Sequence, residues 1–331
     1  MKIAVDAFGG DNAPLEIIKG AKMAYAEYKI DVILVGDEKI IEKVCKENNI
    51  GLEGIKIKHA PDIIGMEDPP TDITRSKKES SMAVGLKMLK EDEADGFISA
   101  GNSGALTVGS TLIVKRIKGI KRCAFAPVIP KQTGFFMLID SGANSECRPE
   151  MLEQFGVMGS IYMEKVMGIK RPRVGLVNVG TEEHKGDTLR KETYELLSKS
   201  NLNFIGNIES RDVPKDAADV VVCDGFTGNI ILKMYEGMAS VLMRKFKEVL
   251  SKNIKTKLAA SLIIPELKNM KKDMDYNEYG GAAIMGISKP VFKAHGSSKA
   301  KTIKSAIRLT KNYIQNDVIK IISHSIDHTK E

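Results

Sequence analysis

Three glycine-containing turns in this 331-residue sequence have the composition of an oxyanion-binding site. They occupy residues 101–104, 224–229 and 295–298, and each follows an apolar run and precedes a helical pattern. Glycine allows the backbone to bend sharply and to approach a ligand closely. The start of the following helix supplies N–H groups and a positive dipole end, which suit phosphate. The candidate phosphate- or substrate-binding residues are Gly101, Asn102, Ser103, Gly104, Thr227, Gly228, His295, Gly296 and Ser297.

These turns lack the known fingerprints of nucleotide binding. The sequence contains no GxxxxGK[ST] motif, and Gly101 and Gly104 do not have the spacing of GxGxxG. We therefore expect the bound anion to be free phosphate rather than part of a nucleotide. Since open α/β sheets bind ligands at the carboxyl ends of their strands, the three turns are expected to converge at that edge.

No nucleophile of the protein itself can be assigned from spacing. The sequence shows no Ser-His-Asp or Cys-His pairing. Its four cysteines, Cys45, Cys123, Cys147 and Cys223, lie far apart, which predicts reduced thiols and no metal site. A bound phosphate could itself attack a carbonyl if the protein held it, stabilised the developing oxyanion and protonated the leaving group.

Amide, ammonium and imidazole groups could supply those functions. Asn229 and Asn102 are uncharged donors suited to an oxyanion, although the sequence leaves open whether Asn229 would hold phosphate or the carbonyl. Lys185 could offset the charge of phosphate or stabilise a departing thiolate. His295, at the end of a predicted strand, is a candidate proton donor.

The elements that must position these residues alternate between strands and helices. Helices are predicted over Leu15–Tyr28, Glu38–Glu47 and Ser81–Lys90, with apolar β-branched runs between them. This alternation predicts an α/β fold in which a mainly parallel sheet is covered on both faces, a three-layer α/β/α sandwich. Two short apolar segments between residues 124 and 139 indicate a hairpin-like excursion. We expect residues 1–331 to form one domain.

Composition limits the classes of partner. The formal charge of +7 favours an acidic partner, whether phosphate, an acidic protein, an anionic membrane surface or nucleic acid. Aromatic residues make up 5% of the chain and tryptophan is absent, which argues against stacking on single-stranded nucleic acid. The chain opens on a predicted strand and has no apolar run of about 18 residues, so neither a signal peptide nor a membrane span is predicted.

The sequence allows more than one interpretation for each of two basic segments. Arg75, Lys77 and Lys78 precede a helix and could form a lid, contact an anionic partner or simply be a solvated helix entry. The amphipathic segment at residues 255–275 could lie on an anionic bilayer or be buried against the body or a second subunit, and its pattern alone favours burial. Its apolar face contains Ile263, Leu267, Met270 and Met274.

Taken together, these stretches resemble the phosphate acyltransferases of bacterial phospholipid synthesis (PlsX), over essentially the whole chain. The resemblance is carried by matches in order along the sequence rather than by one motif. They are Val5–Pro14, Arg75–Met82, Ser99–Ala105, Cys223–Asn229, Asp275–Ala282 and Ala294–Ser297.

This resemblance implies a reaction in which a long-chain acyl carrier protein and inorganic phosphate give an acyl phosphate and free carrier protein, without metal, nucleotide or other cofactor. It implies a homodimer with a fold similar to phosphotransacetylase and the isopropylmalate dehydrogenase-like group. Lys185 and Asn229 are the implied catalytic residues. The positive charge then suits the acidic carrier protein.

The resemblance also implies a cytoplasmic protein that associates peripherally with the inner face of the cell membrane. Residues 255–275 match the membrane-contacting helical hairpin of the family, which reverses the preference for burial. Such a location would suit delivery of acyl phosphate to a membrane glycerol-3-phosphate acyltransferase. No nucleic acid partner is implied.

Three other functions are compatible with parts of the sequence. A phosphate acyltransferase that uses coenzyme A would act on the same thioester. A dehydrogenase on the similar fold would need a metal-binding set of aspartates, which cannot be placed. A non-enzymatic module could bind the carrier protein or the membrane.

Overall fold

The chain forms two β-sheets flanked by helices, in a computed structural model that describes residues 1–257, 260, 262, 263, 266 and 281–328. The first sheet has the strand order β3-β2-β1-β4-β12-β11-β5, and the second has the order β6-β7-β10-β8-β9. The strands of the first sheet are β1 (Lys2–Asp6), β2 (Asp31–Gly36), β3 (Ile55–His59), β4 (Gly96–Ser99), β5 (Ala124–Ala126), β11 (Ala282–Met285) and β12 (Val291–Lys293). Those of the second are β6 (Val128–Pro130), β7 (Phe135–Ile139), β8 (Arg173–Asn178), β9 (Asn203–Glu209) and β10 (Val220–Val222).

Both sheets are mainly parallel. In the first, β3, β2, β1, β4 and β12 are parallel neighbours, and β11 runs antiparallel to β12 and β5. In the second, β7, β10, β8 and β9 are parallel, and β6 is antiparallel to β7. The α-helices are α1 (Leu15–Tyr28), α2 (Glu38–Glu47), α3 (Ser81–Lys90), α4 (Ser103–Gly109), α5 (Pro149–Lys165), α6 (Thr188–Lys199), α7 (Gly225–Ser251), α8 (Ala300–Gln315) and α9 (Val318–His328).

The α/β prediction is confirmed, with the parallel strands divided between two sheets. The predicted bounds of α1, α2 and α3 agree with the structure. The division occurs at Pro127, which separates β5 in the first sheet from β6 in the second. Proline cannot donate a ladder hydrogen bond, and here it interrupts what the sequence suggests is one strand. The predicted hairpin is the antiparallel pair β6 and β7.

A shared apolar core connects the two sheets. Val5 of β1 and Val220 of β10 belong to one cluster of buried residues, together with Phe155 of α5 and Ile303 of α8. Strands buried on both faces have continuous apolar sequences, as Val220-Val221-Val222 does. The core therefore fixes the carboxyl ends of the strands in both sheets.

The predicted amphipathic segment is described only in part. Ile263 and the neighbouring Leu262 are exposed, whereas Leu267, Met270 and Met274 lie outside the described residues. None of the helices over the described ranges is both long enough and apolar enough to cross a bilayer.

Candidate active site

A buried carboxylate beneath the first sheet's edge fixes the Gly101 turn. Asp6, at the end of β1, accepts hydrogen bonds from the hydroxyls of Ser81 and Ser99, each at 2.6 Å. Ser99 in turn accepts from the backbone N–H of Gly101 at 3.0 Å. Burial raises the pKa of Asp6, while the two serine hydrogen bonds and that of Phe8 oppose the rise. These hydrogen bonds thus fix the Gly101 turn to a buried polar network.

Close backbone approaches bring the Gly101 and His295 turns to the same edge. A Cβ atom on Gly9 would lie 2.6 Å from the nitrogen of Gly101, so only glycine fits there. Gly10 has a φ of +94°, and a Cβ atom on it would lie 2.8 Å from the carbonyl oxygen of Gly296. The N–H of Asp11 donates to that same carbonyl at 2.8 Å. Two of the three predicted turns therefore meet at the carboxyl ends of β1, β4 and β12.

The side chain of Asn102 does not have the orientation expected of an oxyanion donor. Its Nδ2 donates to the carbonyls of Gly65 at 3.1 Å, Met66 at 3.1 Å and Asp68 at 3.2 Å. Its Oδ1 caps α4 by accepting from the N–H of Ala105 at 3.0 Å. The expectation of an oxyanion-donating Asn102 amide is therefore wrong, because both ends of the amide already bind the protein backbone. Ser103 and Gly104 begin α4 beside it.

Lys77 also has internal partners. Its Nζ lies 2.9 Å from the Asp68 carboxylate and donates to the carbonyl of Ile63 at 2.7 Å. These contacts hold Lys77 within the loop at residues 63–77, so that its charge is already paired there. Arg75 and Lys78 are exposed and remain candidates.

The third turn begins α7 at the edge of the second sheet, and its own carboxylate occupies the helix start. Asp224 accepts from the N–H of Thr227 at 2.9 Å and from its hydroxyl at 2.8 Å, and Arg190 of α6 binds the same carboxylate. The N–H of Gly225 donates to the carbonyl of Asn144 at 2.7 Å, and that of Gly228 donates to the backbone carbonyl of Asp224 at 2.9 Å. The predicted phosphate cradle at Thr227 and Gly228 is therefore corrected, because these donors already have protein acceptors.

Gly228 serves close packing instead. A Cβ atom there would lie 1.9 Å from the carbonyl oxygen of Asp140, which follows β7. The Asp140 carboxylate is buried and accepts the backbone N–H groups of Phe125 at 2.9 Å and Asn144 at 2.7 Å, among others. Burial raises its pKa, and these hydrogen bonds oppose the rise. The start of α7 is thus seated on a rigid turn.

Asn229 lies on the exposed side of α7, next to that turn. An ideal Cβ atom on Gly142 would lie 3.7 Å from both Cβ and Oδ1 of Asn229. The missing side chain of Gly142 leaves space in front of the Asn229 amide. This amide can therefore reach a small ligand at the edge of the second sheet.

Lys185 is carried by the loop after β8, and β8 is the parallel neighbour of β10. Asn178 Nδ2 holds that loop by donating to the carbonyl of Lys185 at 3.1 Å. The Lys185 side chain is exposed, and its loop precedes α6, whose Arg190 reaches the cap of α7. Neighbouring strands thus end next to the elements that carry Lys185 and Asn229.

A cavity of about 910 Å³ opens beside this pair of loops. The polar residues that line it are Asn178, Asp187, Arg190, Glu209, Ser210, Arg211 and Thr227. Its apolar wall contains Val179, Phe226 and Ile230, and all three side chains are exposed. The cavity thus combines an apolar wall with charged groups of both signs, and neither Lys185 nor Asn229 is among its lining residues.

Charged groups of α7 act on the His295 turn at the edge of the first sheet. Burial lowers the pKa of His295, while Glu236 of α7 opposes the change and Lys293 and Lys233 add to it. Asn229, Lys233 and Glu236 follow helical spacing and share one side of α7. That side therefore lies within electrostatic range of the His295 turn, where His295 Nδ1 lies 2.8 Å from the Ser297 hydroxyl.

The thiols near this cleft are protonated at neutral pH. Burial raises the pKa of Cys147 to about 12 and that of Cys223 well above its ordinary value. A protonated thiol is a poor nucleophile. Within the described ranges, no group of three or more His, Cys, Asp and Glu side chains has a metal-binding arrangement.

Sequence reasoning missed three residues that shape the cleft. Asp140 begins a strand-end Asp-Ser-Gly-Ala-Asn turn, a signal that was available. Lys293 interrupts the apolar run from Val291 to Ala294, and a lysine inside a buried strand is also a signal. Arg190 lies among several charged residues on α6, so nothing in its local sequence distinguishes it.

Comparisons with known proteins show the family and the fold of this chain. A family model described as fatty acid synthesis protein matches residues 1–321. A phosphate acyltransferase of Thermoanaerobacterium thermosaccharolyticum is 50% identical over 327 residues, which cover 99% of this chain and 97% of that protein.

Two solved structures share the fold. A phosphotransacetylase from Streptococcus pyogenes superposes with a TM-score of 0.65 at 15% identity, covering 95% of this chain and 94% of that one. A putative 4-hydroxythreonine-4-phosphate dehydrogenase from Salmonella typhimurium gives a TM-score of 0.52 at 12% identity, covering 94% and 98%. The fold is therefore that of the phosphotransacetylases and related dehydrogenases, and the match to the family model and the 50% identical relative place the chain in the fatty acid synthesis protein family of phosphate acyltransferases.

Proposed function

We propose that the protein transfers a long-chain fatty acyl group from acyl carrier protein to inorganic phosphate. The products are an acyl phosphate, a precursor for phosphatidic acid and phospholipid synthesis, and free carrier protein. The observation that carries this proposal is the placement of Lys185, on the loop after β8, and Asn229, in the first turns of α7 after β10, at the ends of neighbouring parallel strands. A cavity of about 910 Å³ with one apolar wall opens nearby. The name of the relatives, phosphate acyltransferase, supports the reaction class.

The reaction needs no acyl-enzyme intermediate. A phosphate oxygen attacks the thioester carbonyl, a C–O bond forms, and the C–S bond breaks with its electron pair leaving on sulfur. The Asn229 amide donates to the carbonyl oxygen as it becomes an oxyanion, and the Lys185 ammonium stabilises the departing thiolate. The raised pKa values of Cys147 and Cys223 support direct attack by phosphate.

Different features of the protein suit the long acyl chain and the carrier protein. Val179, Phe226 and Ile230 offer an apolar wall to the chain. The net charge of +7 and the exposed Arg75 and Lys78 suit an acidic carrier protein, since complementary charge speeds association.

The direct test is phosphate-dependent consumption of a long-chain acyl carrier protein by the purified protein. Acyl phosphate should appear only when phosphate is present, and intact mass without phosphate should show no acyl adduct. The same acyl chain on coenzyme A is the comparison, and faster turnover of that thioester would replace carrier protein as the donor. Absence of acyl phosphate with both thioesters would reject the proposed activity.

The exposed apolar side of α7 supports a homodimer. Its side chains repeat at helical spacing over most of the helix, a larger apolar surface than a soluble monomer usually exposes. We expect light scattering to give twice the chain mass of 36.3 kDa. A mass equal to one chain at all concentrations would contradict this. The exposed residues beyond the cavity wall are Met234, Met238, Val241, Leu242, Met243, Phe246 and Val249.

Peripheral contact with an anionic membrane is supported by exposed apolar residues beyond α7. Leu262 is 83% exposed and Ile254 is 78% exposed, and the sequence places lysines among them. Such a segment can insert apolar side chains while its lysines contact anionic head groups. This location would place a cytoplasmic enzyme beside a membrane glycerol-3-phosphate acyltransferase.

We expect Leu262→Glu to reduce co-sedimentation with anionic phosphatidylglycerol vesicles by about tenfold, because it removes apolar burial and adds repulsion. Leu112→Glu is the matched control, since Leu112 is also exposed but lies in another part of the fold. Equal binding by both variants and the unchanged protein would exclude a membrane role for this segment.

A further inference from the structure

Lys293 lies at the point where the Gly101 and His295 turns meet. It is the last residue of β12 and is paired in register with Ser99 of β4. Its Nζ donates to the carbonyl of Ala100 at 3.1 Å and to that of Ala294. These two carbonyls immediately precede Gly101 and His295. The ammonium group is therefore positioned between the two turns that approach each other most closely at this edge.

The charge of Lys293 is only partly balanced. In residues 1–257 and 281–328, no carboxylate forms an ion pair with it, and its two hydrogen-bond acceptors are neutral carbonyls. An ammonium group has three donors, so one remains beyond these two bonds. Burying a charge without an opposite charge is unfavourable, and an anion in the cleft would relieve that cost.

The charged groups around Lys293 affect its pKa. Burial lowers the pKa of Lys293 to about 8, Asp6 and Asp11 oppose the change, and Lys233 of α7 adds to it. Asp6 is itself committed to Ser81 and Ser99. The lowered pKa is therefore an effect of burial, which Asp6 and Asp11 offset only in part.

We propose that Lys293 is a further phosphate-binding residue, whose ammonium group donates to an oxygen of the phosphate held between the Gly101 and His295 turns. The proposal rests on the proposed function in taking phosphate as the substrate. It places the nucleophile at the edge of the first sheet, opposite Asn229 and Lys185 on the second. Phosphate would then meet the thioester carbonyl in the cleft beside α7.

The first test is Lys293→Met, compared with Lys289→Met. Lys289 precedes β12 at the opposite end of the strand and pairs with Asp92, so its replacement removes a lysine without reaching the cleft. A lost charge-assisted hydrogen bond corresponds to a 10- to 100-fold effect, roughly. We expect Lys293→Met to raise KM for phosphate by that factor with little change in KM for the thioester, and Lys289→Met to change neither.

The pH dependence of kcat/KM for phosphate gives a second readout, because that ratio reports ionisation in the free enzyme. Lys293 is protonated below a pKa of about 8 and loses its charge above it, so kcat/KM for phosphate should fall as pH rises through about 8. Lys293→Arg keeps its charge over this range, and the fall should disappear. The charged groups that face Lys293 are the same in the wild type and in Lys293→Arg, namely Asp6, Asp11, Lys233 and His295. The difference between the two pH profiles therefore reports the titration of Lys293.

Direct binding of inorganic phosphate, measured by calorimetry without any thioester, separates this inference from the catalytic proposal. Phosphate binding that is weakened in Lys293→Met supports it even if no acyl phosphate is ever formed. Unchanged phosphate affinity in a folded Lys293→Met protein would overturn it, as would equal losses toward both substrates. If Lys293→Met unfolds, Lys293→Arg provides the test. The pH profiles of the wild type and of Lys293→Arg must then differ, and identical profiles would overturn the proposal.

Discussion

Replacing Asn229 by alanine is expected to lower kcat by about 100- to 1000-fold, the usual effect of removing one oxyanion donor. The amide lies at the exposed side of α7 in front of Gly142, where it can meet the reacting carbonyl. The Asn102 amide cannot take over this donation, since it is bound to the loop carbonyls of Gly65, Met66 and Asp68. Asn229→Asp should be at least as damaging, because a carboxylate repels phosphate and the oxyanion.

The measurement is single-turnover formation of acyl phosphate at saturating phosphate and thioester. Asn316→Ala is the matched control, since Asn316 is an exposed asparagine at the end of α8, and its activity should be unchanged. The thermal unfolding of Asn229→Ala should match that of the wild type. A folded Asn229→Ala protein with normal turnover would remove Asn229 from the catalytic machinery.

Replacing Gly228 by alanine is expected to destabilise the protein by about 3 kcal/mol, at the upper end of the range for overpacking. The added Cβ atom would lie 1.9 Å from the backbone carbonyl oxygen of Asp140 and 2.9 Å from Cys223 Sγ. Backbone cannot move aside as a flexible side chain can, so α7 must shift. Because Asn229 is the next residue, activity should fall in the protein that remains folded.

The same helix provides the control for Gly228→Ala. A Cβ atom on Gly237 would have no neighbour within 4 Å. Gly237→Ala should therefore stabilise the protein by about 0.5–1 kcal/mol through helix propensity alone. Denaturant unfolding of both variants measures these opposite changes in the free energy of unfolding. Similar stability changes at the two positions would show that the close approach to Asp140 does not constrain α7.

Local sequence patterns were sufficient for most of the described elements in the first half of the fold. The caps of α2 and α3, Asp37 and Ser80, are residues that favour helix starts, and each accepts a hydrogen bond from the predicted first turn. The division into two sheets was not accessible in this way. It depends on which strands pair, and the short runs on either side of Pro127 carry no local signal for their different partners.

The site was predictable to the level of loops, but not to the level of individual donors. Alternating strands and helices place the turns at strand ends, and the structure brings the Gly101 and His295 turns together as expected. Whether an amide or N–H group is free depends on distant partners. Asn102 is occupied by the loop at residues 65–68, and the start of α7 is occupied by Asp224 and by Asn144, which lies on another loop. The glycine and asparagine residues of these turns serve backbone packing as much as ligand binding.

Under the proposed function, the length of α7 limits how an acyl phosphate could reach the membrane. From Asn229 to Ser251 the helix extends over roughly 33 Å at 1.5 Å per residue. The hydrocarbon core of a bilayer is about 30 Å thick and holds two opposed acyl chains, so one chain extends over only about half of it. With residues beyond α7 on the membrane, a fatty tail still anchored at Asn229 would fall short of the lipid when the helix stands upright. Transfer would then require release into the narrow space between enzyme and bilayer, where tethering keeps the product concentrated, or a helix lying along the surface.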